Sequence, residues 1–580
     1  MTLNFFYELI NYILFFKNPL KLLVKFKKNN NNYLQLKKLI EEVKDIKPKY
    51  HQFNDEKYKF NNIKLKIYKK VTYFNSSNIW TNDNKDKEIY FYKVRFNWLL
   101  FDNEHLDINL KLKLINHFII YTQNIVFDSY SISERISNII IFINSAKCNF
   151  KSKELINIKK FLQNEIIKLT NNLEFYENKT NNHIISNNKA IFLYALYLNE
   201  KKYNKLCKFF FEFICQHNFY SSGFLNEGSS QYHLLITKHI IEILYFNKIH
   251  KNNILDEKII NFFYKVINKS YIFTCSKHLP NLGDCTPDLP IQYLSYMPYI
   301  ASKLFDVKFP LEFDENKFFS NTYSNFFNLK YLKKPKPINK NHFFYDKISG
   351  YLLIVNNKVM ILMQLYNSNV INARTHQHTE FGNFILYYDK IPIILDMGRI
   401  NYQNSSLSSI GAEYHNSIKI NNLQPLLCHK LNAVPKLMNN EYFQELPKFL
   451  INKKNSDYHL ETIFYGYKRY RFKSVIKRNI IISKNFVKIT DNINSNSKIN
   501  YTSFFHFNDY SLKLIDKNVI DNKKLENTMY SFEILTDNCN TKFDKTFCSS
   551  QYLHKNNCIS LKLNKKFNKI DNIEYIIKFK

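Results

Sequence analysis

From about residue 105 to 305, apolar residues recur at three- and four-residue spacing in segments separated by short polar loops. This spacing predicts helices over Leu110 to Val126, Glu134 to Ile143, Lys153 to Leu169, Lys189 to Leu198 and Tyr232 to Phe246. In the last of these, Leu234, Leu235, Ile241 and Leu244 fall on or near one face, with Lys238 and Glu242 elsewhere. The natural assembly is a series of helical hairpins. Around Lys333-Lys334-Pro335-Lys336-Pro337 the pattern changes, and two prolines within three residues oppose helix continuation. Beyond them lie strand-like runs at Gly350 to Val355, Val359 to Leu365, Phe384 to Tyr388, Ile391 to Leu395, Ile480 to Ile489 and Tyr501 to Phe507. Asp389-Lys390 reads as a tight turn between two of them. Helices followed by strands predict an all-α domain joined to an all-β domain.

Composition changes this picture little. The 580 residues exceed what one core usually organises, and 45% hydrophobic with 17% aromatic content suffices for two. Charge adds more. With 83 basic and 49 acidic residues, the net charge of +34 favours a polyanionic partner. The basic runs, such as Lys25-Phe26-Lys27-Lys28, are short and scattered, and no nucleic-acid-binding motif surrounds them, so no nucleic-acid partner is expected. The abundance of Asn, Lys, Ile and Phe beside only 8 Gly points to a compositional drift that itself raises the charge. Nine widely spaced cysteines without a C-x-x-C pair indicate neither a disulfide framework nor a cysteine zinc site. The apolar stretch Phe5 to Phe16 is interrupted by Glu8 and is too short to span a bilayer; it reads as a docked or interfacial helix. No transmembrane segment is expected, and a cytoplasmic location is favoured over a periplasmic or envelope one.

Three clusters carry candidate chemistry. In Arg374-Thr375-His376-Gln377-His378-Thr379-Glu380, a strand would place both imidazoles on one face. Asp396 ends the apolar run after the following hairpin, and His415 lies a little further on; two His and a carboxylate form a sensible zinc set, while ordinary strand histidines would give the same letters. Asn181-Asn182-His183 opens a helix, where an amide and an imidazole can meet a carboxylate, or Asn182 can simply cap the helix. The third cluster, Glu227-Gly228-Ser229-Ser230-Gln231-Tyr232-His233, precedes another helix; Tyr232 is a proton-transfer candidate or a packing residue.

Together these clusters resemble the heparinase II/III family of polysaccharide lyases, which includes alginate lyase-like members. The stretches that carry the resemblance are NNHIISNNKAIFLYALYL at 181–198, NEGSSQYHLL at 226–235, THQHTEFGNFILYYDKIPIILDMGR at 375–399, EYHNSIKINNLQP at 413–425 and YRFKSVIKRNIIISKNFVKITDNI at 470–493. The resemblance implies an α+β multidomain chain: an (α/α) toroid, an incomplete helical barrel, over 76–332, a linker over 333–345, and an antiparallel β-sandwich over 346–580. Residues 1–75 form a helical N-terminal segment whose role the motifs leave open. It also implies β-elimination at a uronic acid in an acidic polysaccharide. Asn182 would neutralise the uronate carboxylate, His183 would help hold the sugar or the carboxylate, Tyr232 and His376 would move protons, and Arg135 and Glu227 would contact substrate. His378, Asp396 and His415 would hold a structural zinc ion. Two departures stand out: Glu380 occupies the position where the family block reads Asp, and Thr375 replaces the glycine before the first His. A uronate C5-epimerase and a non-catalytic acidic-glycan-binding protein are the alternative readings.

Overall fold

The structure is a computed structural model. It describes residues 31–43, 60–67, 70–81, 87–101, 103–146, 153–175, 181–251, 253–276, 278–318, 322–338, 341–365, 376–378, 381–400, 410–425, 447–508, 519–520 and 524–580. The stretch Phe5 to Phe16, the Lys25 to Lys28 run, Cys148, Cys428, Thr375 and Glu380 lie outside the described residues.

Apolar periodicity becomes helix where expected, with local caps fixing the starts. Ile108–Tyr121 begins at Asp107, whose side chain accepts from the Leu110 amide at 2.8 Å; Ser229 and Asp256 cap Ser230–His250 and Glu257–Lys269 in the same way. Ser129–Ala146 packs on His183–Leu198, which in turn packs on Asn204–His217 and Ser230–His250. The helix Ser230–His250 is buried almost all round, so Lys238 and Glu242 do not reach water as the one-faced reading expected. They pair with each other at 2.7 Å instead. Lys189 joins them, 3.1 Å from both Glu242 and Glu134 and 2.7 Å from His239. Every one of these side chains is buried, and the charges are compensated pair by pair.

The C-terminal half consists of two antiparallel sheets. The first runs in the order Asn540–Gln551, His554–Phe567, Ile499–Asn508, Ile391–Ile394, Phe384–Tyr388, Val359–Gln364, Tyr351–Asn356, His342–Tyr345, with Ile418–Ile420 added to Ile499–Asn508. The second runs Lys448–Lys454, Asp457–Phe464, Val475–Ile482, Phe486–Asn494, Ile570–Phe579, Tyr530–Ile534, Lys524–Glu526, Val519–Ile520. Leu352, Ile354, Ile361 and Met363 enter the core between the sheets, while Tyr351, Leu353, Val355, Met360 and Leu362 enter the core of the helical domain. The central strands Tyr351–Asn356 and Val359–Gln364 of the first sheet are therefore covered on both faces, which is why they read as unbroken apolar runs. The second alternates buried and partly exposed positions, as in Asp457–Phe464 and Val475–Ile482.

Several expectations need correction. Ile480 to Ile489 is not one strand: Ser483 begins a turn between Val475–Ile482 and Phe486–Asn494, and the two β-branched ends concealed it. The N-terminal segment is not only helical. Asn31–Val43 is a helix, but Ile63–Ile67 and Lys70–Phe74 pair as a hairpin. The supposed linker begins inside a strand, since Leu332–Pro335 pairs with Phe313–Phe318, and the sandwich starts at His342 rather than 346. A proline at a strand's last residue, on a two-stranded edge, costs no ladder bond. The Asp389-Lys390 turn holds, with φ of 45° and 70°, as a two-residue hairpin of this twist requires. Seven described cysteines are free thiols, and no described helix is long and apolar enough to cross a membrane.

Candidate active site and metal centre

Three chain segments meet where the two domains join. Glycine makes the approach possible. A β-carbon on Gly228 (φ +72°) would lie 2.5 Å from Gln377 Cβ, and one on Gly283 (φ +75°) would lie 2.4 Å from the Gly228 carbonyl and 2.6 Å from that of His376. Backbone bonds then lace the segments together: the His376 amide donates to Glu227 O at 3.2 Å and the Asp284 amide donates to His376 O at 3.0 Å. Residues 376–378 form a turn and loop rather than a strand, so the expected shared strand face does not exist. What brings His376 and His378 together is a carboxylate that the sequence reading did not single out, Asp284.

Asp284 Oδ2 lies 3.0 Å from His376 Nδ1, and its Oδ1 lies 2.8 Å from His378 Nε2. Arg399 Nη1 stands 3.3 Å from both oxygens. Burial opposes ionisation of Asp284, but the hydrogen bonds from both histidines and the charges of His378 and Arg399 hold it well below the usual carboxylate range. His376 stacks on Tyr232 with ring centroids 3.6 Å apart and planes 15° apart. Tyr232 sits in the first turn of Ser230–His250, where the helix dipole favours negative charge, and its amide donates to Ser229 Oγ.

Asn182 does not cap its helix through its side chain. Its backbone amide and its Nδ2 each donate to Glu227 at 2.7 Å, and Nδ2 also lies 3.2 Å from His376 Nε2. His376 thus stands between the Asp284 carboxylate at Nδ1 and the Asn182 amide at Nε2. Neighbouring His183 stacks on Tyr130 and bonds Glu174 at 3.0 Å; burial alone would lower its pKa, but the hydrogen bond and charge of Glu174 raise it. The side chains of His183, His376 and Arg399 keep 36, 15 and 17% of their surface exposed, so the cluster opens to solvent on this side.

Two expected substrate contacts are corrected. Arg135 is fully buried, held by Glu165 and by the Val94 carbonyl at 2.8 Å, with Phe118 and Phe127 over its guanidinium. A planar cation paired inside an aromatic cage stabilises the helical packing; it does not face an opening. Glu227 is also fully buried, and both its oxygens serve Asn182.

His378, Asp396 and His415 converge behind His376, fully or nearly buried, with one ligand-type atom from each within 4.8 Å of the others. Asp396 Oδ2 is 2.8 Å from His415 Nδ1 and accepts from Asn383 Nδ2 at 2.6 Å, while its Oδ1 accepts from the Gly398 amide. Burial, the largest influence, lowers the pKa of His378, a shift towards the neutral form that a metal ligand needs. Beneath this loop Arg478, buried against Asp491, donates to the carbonyls of Gly382 and Asn416.

This architecture, a helical domain followed by a two-sheet β-domain, recurs among solved polysaccharide-lyase structures. The chain matches a crystal structure of heparinase III with 13% identity over 89% of this chain and 80% of that one, at a TM-score of 0.60. It matches a mutant of the heparan sulfate lyase HepC from Pedobacter heparinus with 11% identity over 94% and 88% of the chains, at 0.56. A chondroitin AC lyase from Streptomyces coelicolor, solved with chondroitin sulphate, matches with 6% identity over 85% and 74%, at 0.52. No curated protein sequence matches the chain. Residues 340–554 match the family model described as heparinase II/III-like, C-terminal.

Proposed function

We propose that this protein is a polysaccharide lyase that cleaves a uronic-acid-containing acidic polymer by β-elimination, leaving a 4,5-unsaturated uronate. The observation that carries the reading is the stacked Tyr232–His376 pair with the Asn182 amide at His376 Nε2. A uronate C5 proton is weakly acidic while its carboxylate is charged. One hydrogen of the Asn182 amide is held by Glu227; the other, which meets His376 Nε2 in the free protein, turns to that carboxylate as charge moves onto it and so frees the His376 ring nitrogen, and His183 supplies a second donor. The His376 lone pair or the Tyr232 oxygen removes the C5 proton, and the Tyr232 hydroxyl protonates the departing O4. The solved relatives of this fold are named as lyases of heparan and chondroitin type. The net charge of +34 suits a polyanionic substrate.

The donor set of His378, Asp396 and His415, two imidazoles and a carboxylate, fits zinc. Because His378 Nε2 faces Asp284, its Nδ1 is the atom left to ligate. A bound zinc ion would fix this loop and supply positive charge behind the site. The test is purified protein with heparan sulfate, chondroitin sulfate and alginate, followed by the ultraviolet absorbance of the unsaturated product. Cleavage products without that absorbance would refute β-elimination.

A further inference from the structure

We infer that Asp284 is a positioning residue that makes the proton-transfer histidine and the metal triad a single unit, so that metal loading sets the ring of His376. The role given to His376 rests on the lyase reading; the coupling itself does not. A carboxylate is a rigid plane, and here each oxygen holds a different imidazole, at 2.8 Å for His378 and 3.0 Å for His376. Any tilt imposed through one oxygen must move the other. The side chain is 2% exposed, so water does not stand in for either partner. The backbone is equally constrained, with the Asp284 amide on His376 O and the Asp284 carbonyl accepting from Ser229 Oγ at 2.8 Å. That same Ser229 oxygen caps the helix at the Tyr232 amide.

The shared acceptor also assigns opposite nitrogens to the two rings. His378 meets it through Nε2, so that ligation beside Asp396 and His415 would fall to its Nδ1. His376 donates through Nδ1 and turns Nε2 to Asn182. Without the carboxylate, neither tautomer is selected. Metal ligation at His378 strengthens its N–H as a donor, tightens the contact to Asp284 and so reaches His376.

The test uses the full chain and its isosteric variant Asp284→Asn, whose amide can accept from one ring but not from both. Zinc affinity, measured by competition with a chelator, should fall about 10- to 100-fold. On the uronate polymer that the parent cleaves, kcat should fall at least about tenfold with little change in KM. Histidine ring-nitrogen NMR gives a readout independent of any polymer and of the variant's folding. Zinc added to the metal-free parent should shift the His376 signals, identified by their loss in His376→Gln. Unmoved His376 signals in the parent overturn the coupling, as does a folded Asp284→Asn protein with parental zinc affinity. A parent inactive on every uronate polymer would refute the lyase reading, while the NMR shift would still uphold the coupling.

Discussion

Replacing Asn182 by alanine separates chemistry from helix stability. If the side chain were a cap, its loss would cost about 0.5–2 kcal/mol and leave turnover alone. The structure assigns it no capping bond; its amide instead donates to the buried Glu227 carboxylate at 2.7 Å. A bond to a charged acceptor contributes about 1.5–3 kcal/mol, and the Asn182 backbone amide still serves the other oxygen. Asn182→Ala should therefore lose stability within that range and remain folded at room temperature. Loss of a donor to developing charge costs about 10²–10³ in kcat, or roughly 2.7–4 kcal/mol. Because the two energies overlap, activity must be expressed per folded molecule, with folding followed by circular dichroism in the assay buffer. Product absorbance against polymer concentration then gives kcat and KM. A folded Asn182→Ala protein with parental kcat would refute the assignment of this amide to the reacting carboxylate.

Other perturbations test the remaining pieces. Tyr232→Phe keeps the ring stacked on His376 but removes the hydroxyl, so kcat should collapse with KM nearly unchanged; near-normal kcat would remove Tyr232 from proton transfer. His378→Ala should lose bound zinc and its thermal stabilisation together, whereas His376→Ala should lose activity and keep the metal; elemental analysis of both variants decides this. Lys189→Met leaves Glu134 and Glu242 buried without their shared cation and should cost about 3–5 kcal/mol in denaturant unfolding, with little effect if the network is dispensable. Burial opposes ionisation of Glu134, but Lys189 and His239 outweigh it and bring its pKa down to about 2, and Glu242 is likewise held low. Carboxyls with depressed folded pKa values stabilise above their unfolded value, so stability should hold to about pH 4.5 and fall as the pH drops towards 2. Thermal melts across that window check the slope.

Much of the fold was legible because its periodicities are strong. Helical spacing located Lys153–Asn171 and Ser230–His250, and the unbroken apolar runs located the doubly covered strands Tyr351–Asn356 and Val359–Gln364. What spacing could not show was which helix faces are buried: the pairing of Lys238 with Glu242 depends on neighbours far away in sequence. His378, Asp396 and His415 stood out as a candidate set from their donor types, and the structure brings the three together. Asp284 was not readable, since it lies in an irregular loop 92 residues from His376 and nothing in its neighbourhood has a period. A signal was present all the same in Asn281-Leu282-Gly283-Asp284, a glycine beside an acidic residue in a chain with only 8 glycines. Arg135 misled for another reason. The family resemblance set it facing the substrate groove, whereas the aromatic residues that enclose it, such as Phe118 and Phe127, come from other parts of the chain.

The doubly covered strands bear on how this chain can be divided. Tyr351, Leu353, Val355, Met360 and Leu362 belong to the helical core although they are carried by β-strands. Cutting near residue 340 would strip both products of a wall, leaving one with an open apolar sheet and the other with an open apolar floor. Surfaces of that kind associate with whatever is at hand. Neither fragment should be recoverable as a soluble monomer, yet the two produced together should find each other and restore the seam. In such a molecule the boundary drawn by secondary structure and the boundary of independent folding do not coincide. Grafting the β-domain onto a foreign helical partner would then require a matching apolar face, not merely a permissive linker.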